Sequence, residues 1–156
     1  MDSVEALAYE QSRRAIEQQA AVLNELRSRT GGLLTAASLV ASFLAAQAIE
    51  RSGFDALAMF AMLAFLGVLG LCMSVLWPSR EAWKFRLQST LLLEDFDPAT
   101  GRTTADMHRH LATCMEEHWD HNQSRLKPLF DRFQWACGAL GAEVLLWTTH
   151  LSKGVT

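Results

Sequence analysis

"GGLLTAASLVASFLAAQAI" at residues 31–49 and "ALAMFAMLAFLGVLGLCMSVLW" at residues 56–77 contain no Asp, Glu, Lys or Arg. A helix of about 20 apolar residues crosses the hydrocarbon core of a bilayer, which is about 30 Å thick. Both stretches have that length, and only the polar segment 50–55 separates them. The sequence therefore predicts two transmembrane helices joined by a tight hairpin.

A third apolar run covers residues 133–151 but contains polar residues, among them Glu143. Two interpretations are open: a third membrane span, or a helix buried in a cytosolic bundle. Trp135 and Trp147 stand near opposite ends of the run, as in the aromatic belts that mark both membrane interfaces. We expect this run to be the third span.

Basic residues flank the spans unequally. They precede the first span, follow the second and precede the third, whereas residues 50–55 carry one Arg and two acids. Because Lys and Arg are enriched in cytoplasmic loops, we expect the N-terminus and residues 79–132 in the cytoplasm. The C-terminus then lies outside, in the periplasm or the extracellular space. The N-terminal residues are polar and acidic, unlike a signal peptide, so we expect the spans to remain in the mature protein.

The predicted fold is an all-α integral membrane helical bundle, one domain over residues 1–156. Residues 1–30 read as a long cytosolic helix, because Ala8/Tyr9, Ala15/Ile16, Val22/Leu23 and Leu26 form a seam with a seven-residue period. No helix breaker precedes Gly31, so this helix can continue unbroken into the first span.

The segment 79–132 reads as a second cytosolic helical region. We expect a helix over 79–96, a turn at 97–101, and a helix that Thr103 or Thr104 caps and that continues to about Leu126. Pro128 either starts the third span or kinks a continuous helix.

Composition excludes several classes of function. The chain has 156 residues, half of them hydrophobic, and a net charge of −3, so nothing indicates a nucleic-acid partner. No phosphate-binding glycine loop, zincin pair or nucleophile elbow occurs, and we expect no enzyme. The three cysteines are scattered, which indicates reduced thiols rather than a disulfide framework.

Glu143 is the first candidate site residue, because a carboxylate within a membrane span is costly and points to function. We expect hydroxyls of the first span to be its hydrogen-bond partners within one subunit: Thr35, Ser38 and Ser42. Two interpretations stay open. Glu143 is either a proton-responsive or pore-lining carboxylate, or a protonated side chain that hydrogen-bonds between helices or subunits.

Small residues form a second candidate group, because they let membrane helices approach closely. They are Ala64, Gly67, Gly70 and Ser74 on the second span, and Gly138, Gly141 and Ala142 on the third. The pattern does not tell packing within a chain from packing between chains. Three spans enclose little interior, so we expect a homo-oligomer.

The third candidate group lies in "MHRHLATCMEEHWDH" at residues 107–121. On a helix, His110, Cys114, Glu117 and His121 share one narrow stripe, and these side chains are ligands of zinc and other transition metals. The alternative is an ordinary polar helix face with no cofactor. A pH-sensitive surface is a further reading, because histidine titrates near neutrality.

The order of these segments resembles a known family. A cytosolic helix enters "SRTGGLLTAASLVASFLAAQAI", a hairpin leads to "LGLCMSVLWPSR", and "HNQSRLKPLFDRF" precedes the final run. This topology resembles small bacterial membrane proteins of the Pycsar transmembrane effector type, which act in nucleotide-signalled anti-phage systems. The resemblance implies a cytosolic region that senses a cyclic nucleotide or a soluble protein, and spans that compromise the inner membrane.

We therefore expect a self-associating protein of the bacterial inner membrane, a membrane-disrupting effector or pore triggered through its cytosolic helices. Two alternatives belong to other classes. One is a non-toxic adaptor that docks a soluble partner on the Tyr9–Ile16–Leu23 seam, and the other is a His-rich metal or pH sensor.

Overall fold

The computed structural model describes residues 4–77, Trp83 and residues 103–153. The described residues contain three α-helices and no strand, so the all-helical prediction is confirmed. The helices are α1 (Val4–Ser52), α2 (Ala56–Leu76) and α3 (Thr104–Lys153). The predicted helix at 79–96, apart from Trp83, and the predicted turn at 97–101 lie outside the described residues.

Helix α1 is a single element of 49 residues, about 74 Å long at 1.5 Å per residue. Gly31 and Gly32 lie inside it without a break, which confirms the predicted continuous helix. It ends at Gly53, whose φ of 72° is favourable only for glycine and whose N–H donates to the Ile49 carbonyl at 2.9 Å.

Helix α2 begins and ends where its local sequence dictates. Asp55 has extended backbone geometry, and its side chain accepts a hydrogen bond from the Ala58 N–H at 3.0 Å, as an N-cap does. Trp77, which directly precedes Pro78 in the sequence, leaves the helical conformation and has an extended ψ of 124°. A proline disfavours the helical conformation in the residue before it, so the helix stops there.

Helix α3 begins with the predicted cap. Thr103 Oγ1 accepts a hydrogen bond from the Asp106 N–H at 3.2 Å, and Asp106 Oδ2 accepts one from the Thr103 N–H at 3.0 Å. This reciprocal pair is a capping box with Asp in the acidic position. Pro128 lies inside α3, so the alternative in which it starts a helix is wrong.

The described residues belong to two compact units, and each is held together by its own contacts. The first, unit 1, comprises residues 1–24 and 79–127; the second, unit 2, comprises residues 25–78 and 128–156. Helices α1 and α3 each contribute residues to both units. The prediction of one domain over residues 1–156 stays a prediction.

In unit 1 the N-terminal part of α1 packs in parallel against the first part of α3. Arg109 contacts Glu5 at 3.2 Å, and Gln19 Nε2 donates to the Trp119 carbonyl at 3.0 Å, so residue numbers rise together along both helices. Of the predicted α1 seam, Ile16 and Leu23 are buried there, Tyr9 and Ala15 are half-buried, and Ala8 and Val22 are exposed. The buried residues are Ile16, Gln19 and Leu23 on α1, and Leu111, Met115, Asn122 and Leu126 on α3.

In unit 2 all three helices contribute to two apolar clusters. Ala37, Val68, Cys72 and Ala136 are fully buried in one of them. Ala48, Ala58, Ala61 and Trp147 are fully buried in the other. Alanines are two of the four buried residues in the first cluster and three of the four in the second. Small side chains of this kind let helix axes approach closely.

Candidate functional site

The surface of unit 2 carries no acidic or basic side chain over three long stretches of helix. Residues 31–49 and 56–77 have none in their sequence, and residues 133–151 have only Glu143 and His150. Both of these are 0% exposed. The surface consequently presents large apolar side chains, which include Leu39, Phe43, Phe60, Leu63, Leu66 and Leu145. A water-soluble helical bundle normally shows the opposite pattern, with charged residues outside.

Two helices are long and apolar enough to cross a membrane: α1 and α2. Only 11% of the apolar window in α1 and 22% of that in α2 are buried. A core helix of a soluble protein would be mostly buried, so the exposure favours lipid as the surrounding solvent. The corresponding stretch of α3 is not among these candidates, and the third span stays a prediction.

Glu143 lies inside unit 2 between its two apolar clusters. Along α3 it follows Leu140, which packs on the first cluster, and precedes Trp147, a member of the second. Both of its carboxyl oxygens are buried and find no hydrogen-bond partner among the described residues. Trp147, one helical turn further, has a buried Nε1 that is likewise unpartnered there. A buried polar group without a partner lowers stability and needs an explanation.

The structure does not bring the predicted hydroxyl partners to Glu143. Thr35, Ser38 and Ser42 are exposed, and each donates to the carbonyl four residues earlier in α1, at 3.0, 2.9 and 2.7 Å. The expected hydrogen bond to Glu143 within one chain is therefore wrong. A helical Ser or Thr can always reach its own preceding turn, and here this bond replaces one across helices.

The predicted glycines of α2 and α3 do not make close helix contacts within the chain. Gly67, Gly70, Gly138 and Gly141 are exposed, and a Cβ added at any of them would meet no heavy atom within 4 Å. In the same set, Ala142 is exposed, whereas Ala64 and Ser74 are half-buried. Packing inside one chain therefore does not require these glycines.

Trp147 is not the interfacial residue that the sequence predicts. It is 0% exposed and packs beside Ala48, Ala58 and Ala61, whose small side chains leave room for an indole ring. Trp135, at the other end of the run, is 73% exposed and fits the predicted role. Of the two tryptophans, one fills the interior and one faces outward.

His150, in the last turns of α3, is buried in unit 2. Its Nε2 lies 3.3 Å from the Gly53 carbonyl oxygen, and its Nδ1 lies 3.1 Å from Asp55 Oδ1. The second contact is within ion-pair distance but outside hydrogen-bond geometry. Sequence reasoning missed this contact because the partners lie almost a hundred residues earlier. The sequence signal that could have indicated this contact was the tight hairpin at 53–55.

The predicted metal ligands of α3 do not gather around one point. The Cys114 Sγ and the His110 Nε2 lie 3.7 Å apart, but among the described residues no group of three or more His, Cys, Asp or Glu side chains could hold a metal ion. The stripe from His110 to His121 rises about 16 Å along the helix, so its four members, which include Glu117, cannot surround a single ion. The alternative, an ordinary polar helix face with no cofactor, stays a prediction.

The seam that was considered as an adaptor surface is already covered in unit 1. Ile16 is 8% exposed and Leu23 is 3% exposed. Tyr9 is half-buried and stacks on His108, with ring centroids 5.4 Å apart. A soluble partner could bind the Tyr9–Ile16–Leu23 seam only after these two helices separated.

Unit 1 also has a surface groove between its two helices. One part has a volume of about 350 Å³, and a neighbouring part of about 300 Å³ shares Ala8, Ser12 and Glu116 with it. The charged residues that line the two parts are Glu5, Arg109 and Glu116, and Arg109 is paired with Glu5. An anionic phosphate would meet a net negative lining there, so this groove is poorly suited to a cyclic nucleotide.

Comparison with known protein families, with curated proteins and with solved structures finds no match to this chain.

Glu143→Met should stabilise unit 2, because methionine has a similar shape and no polar atom to desolvate. We expect a gain of about 1–3 kcal/mol in the free energy of unfolding, measured by chemical denaturation in detergent micelles. Gln134→Met is the matched control, since Gln134 is an exposed polar residue of the same helix and should change stability little. A clear loss of stability in Glu143→Met would mean that the carboxyl group makes a stabilising contact.

Proposed function

We propose that this chain is a bacterial inner-membrane protein with three spans, formed by the apolar stretches of α1, α2 and α3. One observation carries the proposal. The acidic and basic side chains within these stretches are limited to Glu143 and His150, and both are turned into the protein. A stretch that faced water would expose its acidic and basic side chains and bury its leucines and phenylalanines, which is the reverse of the arrangement seen here.

The dimensions of α2 support the proposal. Its 21 residues measure about 32 Å, close to the thickness of the hydrocarbon core. Exposed tryptophans, Trp77 and Trp135, lie beside the end at which Arg132 contacts the Ser74 carbonyl at 3.5 Å. Tryptophan and arginine are both favoured at a membrane interface. We place this end at the cytoplasmic face.

The proposed activity is that of a membrane-disrupting effector, which assembles in the membrane and opens a path for ions when triggered. Its support comes from the topological resemblance and from the exposed glycines of α2 and α3. Glycines that packing within the chain does not use are available for close contact between copies. In this proposal Glu143 governs association or permeation after the helices rearrange.

The trigger is proposed to act on unit 1. Helices α1 and α3 each run without interruption through residues of both units, so a change in their pairing can be passed along the helices. The net negative lining of the groove in unit 1 favours a soluble protein with a basic surface over a cyclic nucleotide. No resident cofactor is proposed.

Native cysteines test the membrane embedding directly. Cys137 is exposed on the surface of unit 2, and Cys114 is half-exposed in unit 1, so both would react with a polar maleimide in water. In native membranes we expect labelling of Cys114 only, because lipid covers Cys137. Single-cysteine variants and mass spectrometry would identify the labelled site. Labelling of Cys137 in intact vesicles would contradict the proposal, and labelling after detergent denaturation is the control for its reactivity.

Replacement of the exposed glycines tests the effector activity. Gly67→Leu with Gly70→Leu should leave the single chain folded, because nothing lies near either Cβ, but should block assembly between copies. We expect wild-type protein, expressed together with its trigger, to collapse the membrane potential reported by a dye, and the double variant to lose this effect. Gly32→Leu, at an exposed glycine outside the predicted seam, is the control. A wild-type protein that stays harmless while its neighbouring genes are expressed would refute the effector proposal.

A further inference from the structure

His110 and Cys114 lie one turn apart on the same side of α3 in unit 1. The His110 Nε2 and the Cys114 Sγ are 3.7 Å apart, so the two side chains converge although their backbones are separated by a full turn. His110 is exposed and Cys114 is half-buried, so solvent reaches both side chains. The pair therefore presents an imidazole nitrogen and a sulfur atom together at the surface.

The distance between these two atoms matches one edge of a zinc coordination sphere. Zinc binds thiolate sulfur at about 2.3 Å and imidazole nitrogen at about 2.0–2.1 Å, and structural zinc sites are almost always tetrahedral. A sulfur and a nitrogen ligand of such a tetrahedron are about 3.6 Å apart, because the angle between their bonds is that of a tetrahedron. The pair is thus arranged to bind one ion with little movement of either side chain.

One chain supplies only half of such a site. Among the described residues no group of three or more His, Cys, Asp or Glu side chains could hold a metal ion. His121, the last member of the predicted stripe, lies about 10 Å beyond Cys114 along the helix. Structural zinc sites take four protein ligands, and a two-fold symmetric dimer presents the same two residues twice. Two copies of the pair give a Cys₂His₂ set, which is one of the common zinc ligand sets.

The charge of the surrounding helix favours a cation at this position. Between residues 106 and 121, α3 carries four acidic side chains, which are Asp106, Glu116, Glu117 and Asp120, and a single basic one. That basic residue is Arg109, and its guanidinium is paired with Glu5 on α1. Two such negative surfaces would repel each other, and a divalent cation between them offsets the repulsion. The charges therefore favour a contact between copies that a metal ion mediates.

We propose that His110 and Cys114 form half of a zinc site, and that a second copy of this chain completes it with the same two residues. On binding, each thiol gives its proton to solvent, and each Sγ and each Nε2 forms one bond to Zn²⁺, so no electron is transferred. The ion bridges two copies and is not a resident cofactor of the single chain. The proposal concerns unit 1 and depends neither on an effector activity nor on contact between the apolar stretches.

Titration of the full chain with Co²⁺ in detergent micelles tests the ligand set, because cobalt reports zinc geometry through its visible spectrum. We expect the strong absorption of tetrahedral cobalt, a thiolate charge-transfer band, saturation at one ion per two chains, and displacement by Zn²⁺. Cys114→Ser and His110→Gln should each abolish the tetrahedral spectrum, whereas His121→Gln, on the same helix, should keep it. Saturation at one ion per chain, or a spectrum that survives in both variants, would overturn the proposal.

The molecular mass in solution gives a second readout. We use Gly67→Leu with Gly70→Leu as the background, since these changes remove the contact proposed between the apolar stretches. Sedimentation should show a dimer with Zn²⁺ and a monomer with a chelator, and Cys114→Ser in the same background should stay monomeric. Zinc should also slow the labelling of Cys114 by a maleimide at least about tenfold, because the metal occupies the thiolate. A mass and a labelling rate that zinc leaves unchanged would show that the 3.7 Å contact is only a thiol–imidazole contact.

Discussion

Exclusion of charge from the outer surface of three helical stretches of unit 2, residues 31–49, 56–77 and 133–151, is the constraint from which the rest of the account follows. Three helices present leucine, phenylalanine, methionine and glycine outward, and they enclose alanines together with Glu143 and His150. In water this arrangement would leave a large apolar surface unsatisfied. In lipid it would cost little, because the helical N–H and C=O groups away from the helix ends are already paired within their own helix. The proposed membrane location therefore derives from the direction in which the side chains point.

The two units obey different packing rules for the same reason. Unit 1 buries Ile16, Leu23, Leu111 and Leu126 between two amphipathic helices, as a water-soluble helix pair does. Unit 2 instead buries five alanines in its two clusters. The proposed lipid surroundings account for this, because helices in lipid gain little from apolar burial and associate by close packing. The buried polar groups of unit 2, Glu143 and His150, distinguish it from a purely apolar helix bundle. The carboxyl oxygens of Glu143 have no hydrogen-bond partner among the described residues, whereas His150 contacts the Gly53 carbonyl through Nε2 and lies 3.1 Å from Asp55 Oδ1 through Nδ1.

Local sequence signals predicted the helices well. The glycine-tolerant run of α1 and the Thr103 cap of α3 depend on near neighbours in the chain, and both are confirmed. The apolar seam of unit 1 depends on helical periodicity; it is buried at Ile16 and Leu23 but exposed at Ala8 and Val22. The candidate site was harder to predict. The hydroxyls of α1 were expected to reach Glu143, but they bond to their own helix. Trp147 was expected at a membrane interface, but it is buried beside Ala48, Ala58 and Ala61. The His150 contact joins residues far apart in sequence, and no periodic pattern contains that information.

The most direct test of the central claim is a magnetization-transfer experiment from lipid to protein in nanodiscs. The methyl groups of Leu63, Leu66 and Leu145 are exposed, and they should receive nuclear Overhauser effects from acyl-chain methylene protons. The methyl groups of Leu7, which is exposed in unit 1, should receive them from water instead. Water contacts at Leu63, Leu66 and Leu145 without acyl-chain contacts would contradict the account, because the charge-free surface would then face the aqueous phase.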